Sequence, residues 1–293
     1  MGKYFIHMIG HGHIDPTWLW TWKEGFEEIR ATFRSALERM DETSVFKFTA
    51  SSACFYSWMK ESEPELYEKI RQRVKENRWE IAGGFWVEPD CNIPCGESIV
   101  RQGLYAQRFF EREFGKKCRI GFNPDSFGHA ATLPQLLKKL GMDFYVFMRP
   151  EPGKEMEYPG GGVFWWQSGD GSSVLAAQIP LGYDTSGRDV VEKINSLPYV
   201  SSLVPGQNHI MCFYGVGNHG GGPTREAIVS VTKSKGELNS RGLYPEFSTL
   251  EVFFNGFREE TPSEHIPVIN QELQHHARGC YSTHSEVKYN NRR

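Results

Sequence analysis

His11-Gly12-His13-Ile14-Asp15-Pro16 stands directly after a short apolar run, residues 4–9. An imidazole and a carboxylate two positions apart converge on one ion when their loop bends, and a nitrogen and oxygen donor set of this kind suits zinc. The same spacing also suits a hydrogen-bonded His–Asp pair that only shapes its loop. A second cluster, Asn123-Pro124-Asp125-Ser126-Phe127-Gly128-His129, follows another apolar run and tips the reading toward metal. Asp125, at a strand end and on one rim with His13 and Asp15, completes three ligands and leaves the open position of a catalytic zinc centre. The plainer role for Asp125 is to cap the next helix.

Two further clusters carry weaker signals. Gly217-Asn218-His219-Gly220-Gly221-Gly222-Pro223 is glycine-rich but lacks the Lys-Ser/Thr of a phosphate loop. Its glycines are read as letting backbone approach a substrate, with His219 turned into the cleft. Near the chain end, His275 and His276 are adjacent. On a strand they point to opposite faces, so at most one reaches a site, and the reading favours neither as a ligand.

Elements that bring these clusters together are legible as an alternation. Apolar runs at 3–9, 44–51, 79–87, 118–122, 144–148, 174–179 and 209–214 read as strands. Between them, 22–40, 65–77, 97–114 and 132–140 have helical spacing, with Pro64 at a helix start and Gly115 and Gly141 as stops. Strands alternating with helices predict a parallel sheet with right-handed crossovers, and the polar clusters fall at strand carboxyl ends, where such sheets bind ligands. Strand order leaves open whether that sheet closes. The Gly/Pro-rich stretch 150–162 reads as a surface loop.

With 293 residues, 39% hydrophobic and 24% charged, the chain is long enough for a large core, which excludes disordered and small disulfide-framework proteins. A formal net charge of -3, evenly spread, argues against nucleic acid or an anionic membrane as partner. No apolar run nears the ~18 residues of a membrane span, and no secretory leader is apparent, so a cytoplasmic protein is expected. The six cysteines are scattered, only Cys91 and Cys95 being close, and are expected to be reduced. Aromatic residues reach 14%, with eight tryptophans, which suits a sugar-stacking cleft as well as a core.

Taken together, the ordered motifs HGHIDPTWLW (11–20), GGFWVEPDCNIPCGESIVRQ (83–102), GFNPDSFGHAATLPQLLKKLG (121–141), GVGNHGGGPT (215–224) and HHARGCYSTHSE (275–286) resemble the N-terminal domain of glycoside hydrolase family 38, the zinc-dependent retaining α-mannosidases. The resemblance covers essentially the whole chain. It implies a seven-stranded parallel β/α barrel, with 1–293 as the N-terminal catalytic domain of a longer enzyme. It also implies one zinc ion held by His13, Asp15 and Asp125, with a fourth ligand in a helical region that follows and β-domains beyond that. Trp18 would stack on the sugar, and Arg149, in VFMRP, would contact Asp125. Asp125 would also be the nucleophile, forming a covalent mannosyl intermediate on a terminal α-linked mannose of an oligosaccharide. Where the family commonly has an acid/base aspartate this chain has Asn218, and an amide cannot donate and regain a proton. The acid/base role then falls to His219, or to Asp184, Asp90 or Glu88 from neighbouring loops; Asp90 and Asp184 are also expected to bind substrate. A homo-oligomeric full-length enzyme is compatible with this reading. Rival readings are a zinc-dependent carbohydrate deacetylase, for which the chain lacks an H-x3-H pair, and a non-catalytic carbohydrate-binding barrel.

Overall fold

Among the described residues seven of ten strands are runs of four or more residues, and the central ones are buried on both faces, as strands covered by helices on each side must be. The computed structural model describes residues 2–150, 159, 161–185, 187–217, 220–274, 281, 286 and 290. Its first half runs β1 (Tyr4–Gly10), α1 (Trp22–Glu42), β2 (Phe48–Ala50), α2 (Ala53–Ser62), α3 (Pro64–Lys75), β3 (Trp79–Ile81), α4 (Gly96–Phe114), β4 (Ile120–Asn123), α5 (Leu133–Lys139) and β5 (Phe144–Phe147). There follow β6 (Val163–Gln167), β7 (Ser173–Gln178), α6 (Val190–Val200), β8 (His209–Tyr214), α7 (Arg225–Ser240), β9 (Leu243–Ser248), α8 (Leu250–Glu260) and β10 (Val268–Ile269).

The strands form three sheets among the described residues, ordered β8-β1-β9, β2-β3 and β10-β6-β7-β5-β4. All pairs are parallel except β6 with β7. Isolated parallel bridges, His11 with Thr49 and Gly83 with Gly121, link neighbouring sheets. The seven-stranded parallel barrel expected from the sequence is therefore corrected to a mixed α/β arrangement of three, two and five strands. The reason lies in β6 and β7, which a five-residue connection joins. Ser168 N donates to Ser172 O at 2.9 Å across that turn, and so short a link reverses the chain where a parallel crossover needs a dozen residues or more. In addition, β2 and β3 pair only over three residues.

Helices are laid on by amphipathic stripes. In α1 the buried residues Ile29, Phe33, Ala36, Leu37 and Met40 recur at helical spacing, and Glu24 closes the helix start by accepting from Thr21 N at 2.8 Å. Phe33 meets Trp79 edge to face at 5.0 Å, the Trp79 indole N–H donates to Tyr56 Oη at 2.8 Å and Tyr56 Oη donates to Ala50 O at 3.1 Å, so the polar ends of this Trp–Tyr pair are satisfied inside the core. Glu80 accepts from Leu250 N and Glu251 N, both at 2.9 Å, fixing the start of α8 to β3. This packing leaves the carboxyl ends of β1, β4, β5, β7 and β8 free to carry loops toward one rim.

Candidate active site

The loop after β1 delivers two histidines with different fates. His11 Nδ1 donates to Thr49 O at 2.9 Å, and its ring is packed edge-on against Phe122 and Phe213, so it is a core residue that ties β1 to β2. His13 is 5% exposed and sits among carboxylates. Its Nδ1 lies 3.5 Å from Glu88 Oε2, and its Nε2 lies 3.5 Å from Asp15 Oδ1 and 3.8 Å from Asp125 Oδ2. Tyr183, from the loop after β7, covers the ring at 4.9 Å. Burial opposes a charged imidazole here, but the nearby Asp15 carboxylate and the charges of Glu88 and Asp125 outweigh it and raise His13 to about 9. Burial pushes the Glu88 carboxyl up to about 7, even though His13 and the Asp125 N–H pull the other way. The site is thus a buried imidazole ringed by carboxylates, and it attracts a cation.

Asp125 is held from two sides. Arg149 Nε donates to its Oδ1 at 2.5 Å, a charge-assisted bond, and its backbone N–H donates to Glu88 Oε1 at 2.8 Å. Beneath it, Ser126 Oγ donates to Pro89 O at 2.7 Å and Asn123 Nδ2 reaches the same carbonyl at 3.4 Å, fastening the loop after β4 to the loop after β3. His129 closes the second cluster below the rim: Nε2 donates to Arg149 O at 2.7 Å, which leaves Nδ1 to accept from Tyr145 Oη at 2.7 Å. Burial lowers it to about 4, so it stays neutral and holds the backbone of Arg149.

The other expected site residues are placed differently. Trp18 stands 54% exposed on the β1 loop, edge-on to Trp20 at 5.4 Å. Asp90 is exposed and its carboxylate accepts from Asn92 N and Ile93 N at 2.8 and 3.0 Å, shaping a turn. Asp184 sits against Gly217, where an added Cβ would come within 2.0 Å of the Asp184 Cβ at a φ of +68°, so only glycine lets the two loops meet. His219, Asn218, His275, His276 and Cys280 lie outside the described residues, whose five cysteines, Cys54, Cys91, Cys95, Cys118 and Cys212, are free thiols.

Three further side chains shape the site. Glu88 is expected from the sequence as an acid, yet both its oxygens face protein partners. Tyr183 follows a strand in the same manner as the motifs that were noticed, and that position was its available signal. Lys193, on α6, is wholly buried and donates to Gly182 O, Asp184 O and Phe213 O at 2.8, 2.9 and 2.8 Å, so it staples the Tyr183–Asp184 loop to β8. No sequence signal marks it.

Among the described residues, no group of three or more His, Cys, Asp or Glu side chains is disposed to hold a metal ion as the chain stands. The donor chemistry at His13 nevertheless fits one. His13 Nε2 is buried and makes no hydrogen bond, and the oxygens nearest to it belong to carboxylates, the hard partners of a nitrogen-bound zinc. Zinc bonds of ~2.0–2.1 Å at a tetrahedral angle set ligand atoms ~3.4 Å apart, close to the separations from this nitrogen to Asp15 and Asp125.

Comparison with known proteins places the chain as a whole. The chain is 38% identical over 98% of its length to Alpha-mannosidase G of Dictyostelium discoideum, and 32% identical over 99% to human Alpha-mannosidase 2C1. It spans only 26% and 27% of those two relatives. The crystal structure of an alpha-mannosidase from Enterococcus faecalis V583 superposes with a TM-score of 0.78 at 19% identity, covering 92% of this chain and 31% of that one, which shows a shared fold. The family model for the glycosyl hydrolases family 38 N-terminal domain matches residues 3–273, and the chain belongs to that family.

Proposed function

We propose that residues 1–293 form the N-terminal catalytic domain of an α-mannosidase that removes terminal α-linked mannose from oligosaccharides with retention of configuration. The observation that carries this reading is the double restraint on Asp125. Arg149 fixes one carboxylate oxygen and Glu88 fixes the backbone, while the other oxygen faces His13. A nucleophile needs that kind of orientation, since misplacement by ~1 Å costs ~100-fold in rate. Asp125 attacks the anomeric carbon and the leaving oxygen departs with a proton; water then releases mannose from the mannosyl-Asp125 ester. Arg149 keeps the carboxylate aimed for the attack. Trp18 offers the sugar a stacking face at the rim, and Tyr183 keeps water from one side of the His13 ring.

His13, Asp15 and Asp125 would hold the zinc ion, with a fourth ligand from a segment beyond this domain. A zinc ion bound there would supply Lewis-acid contacts to sugar hydroxyls and would favour the distorted ring of an oxocarbenium-like transition state. The acid/base is His219 or Asp184, and retention calls for a separation of about 5 to 5.5 Å between that group and Asp125. No helix among the described residues is long and apolar enough to cross a membrane. The free thiols support a cytoplasmic setting. Quenching turnover of a 2-fluoro-mannosyl substrate in acid and mapping the adduct by mass spectrometry tests the assignment: the label should sit on the peptide containing Asp125. Product of inverted configuration with no adduct would overturn it.

A further inference from the structure

We propose that Glu88 is the positioning residue that orients the His13 imidazole for metal binding and couples it to the backbone of Asp125. The inference rests on the reading of His13, Asp15 and Asp125 as ligands. Glu88 comes from the loop after β3, between the two loops that carry those residues. Its Oε2 lies 3.5 Å from His13 Nδ1 and its Oε1 accepts from Asp125 N at 2.8 Å, so one carboxylate reaches both. The neighbouring Pro89 carbonyl takes Ser126 Oγ and Asn123 Nδ2, which keeps this segment from shifting away from the Asp125 loop. Tyr183 lies against the His13 ring, so the ring is confined between a phenol and a carboxylate. In the neutral imidazole that a metal binds, an Nδ1 proton turned toward Glu88 leaves the lone pair on Nε2, the buried nitrogen that makes no hydrogen bond and faces Asp15 and Asp125.

Glu88→Gln separates this role from simple packing. A carboxylate accepts on both oxygens, whereas an amide accepts on one and donates from the other. Whichever way the glutamine turns, either His13 Nδ1–H or Asp125 N–H then faces an N–H₂ group. Orienting groups of this kind are worth about 10- to 100-fold in metal affinity. The experiment measures zinc affinity by competition with a chromophoric chelator at fixed pH, for the parent protein and Glu88→Gln, with melting of the metal-free proteins alongside. It then records the visible absorption of the cobalt(II) forms. The expected result is at least tenfold weaker zinc binding, an unchanged melting point without metal, and shifted cobalt bands. Equal zinc affinity, or lower affinity with unaltered cobalt bands, would overturn the positioning role. Should Glu88→Gln fail to fold, Glu88→Asp carries the test, since it keeps both acceptors but withdraws them by one methylene. It should weaken zinc several-fold, and parent-like affinity would count against the proposal. A parent protein that takes up no zinc would sink the ligand reading and this inference with it, whereas zinc-binding parent and variant of equal affinity would sink the inference alone.

Discussion

Replacing Lys193 by methionine isolates the support of the rim from its chemistry. The lysine is wholly buried, and its ammonium spends all three protons on carbonyls of Gly182, Asp184 and Phe213. Burial holds it below the usual lysine range, yet these three acceptors compensate the ammonium for lost water. Methionine conserves most of the stem volume, so the cavity cost is small. Three buried carbonyls lose their donor at ~1–3 kcal/mol each, while several kcal/mol of ammonium desolvation is recovered, leaving a net loss of about 2–4 kcal/mol. Urea unfolding reads that loss as a lower midpoint at constant slope. Hydrogen exchange reads its location. The Thr185 amide donates to Gly215 O at 2.9 Å in the parent and should exchange at least tenfold faster in Lys193→Met, with α1 and α4 unaffected. Unchanged midpoint and unchanged exchange at Thr185 would refute the claim that this lysine staples the Tyr183–Asp184 loop.

Arg149→Met removes the charge-assisted bond to Asp125 and should lower kcat on an aryl α-mannoside by about 10- to 150-fold, the equivalent of ~1.5–3 kcal/mol, with zinc content retained; steady-state kinetics showing a change in KM alone would argue against it. Stability should fall on acidification because His129 is held neutral at about 4, below its unfolded value of ~6.5. Between those values the unfolded chain takes up a proton that the folded chain refuses, so stability is full above pH ~6.5 and declines toward pH ~4, by on the order of 3 kcal/mol. Urea titrations at a series of pH values should show that His129→Gln flattens this decline by about one proton, and an identical slope in the variant would contradict the assignment.

Much of the site was legible because it follows from short apolar runs ending in polar loops. β1, β4, β5 and β8 each read as strands, and His13, Asp15 and Asp125 were placed on the loops that the structure brings within 4 Å of His13. The sheet arrangement was not legible, since order along the chain does not say which strands are neighbours. Val163–Gln167 was missed because it follows a Gly/Pro-rich stretch and alternates only briefly, and its antiparallel pairing with Ser173–Gln178 is what breaks the expected parallel pattern. Helix α2 is hard to read for a related reason: Phe55, Tyr56 and Trp58 carry aromatic bulk that a strand would also favour. Glu88 and Lys193 act between loops far apart in sequence, and such pairings leave no local periodicity to read.

The most direct test of the central claim is to measure zinc content and α-mannoside turnover together in the longest natural chain containing these residues and in its Asp125→Ala variant. The account predicts about one zinc per parent chain, hydrolysis of an aryl α-mannoside, and loss of both in the variant. A variant that keeps both metal and turnover, or a parent that holds zinc but releases acetate from acetylated sugars while leaving the mannoside intact, would contradict it.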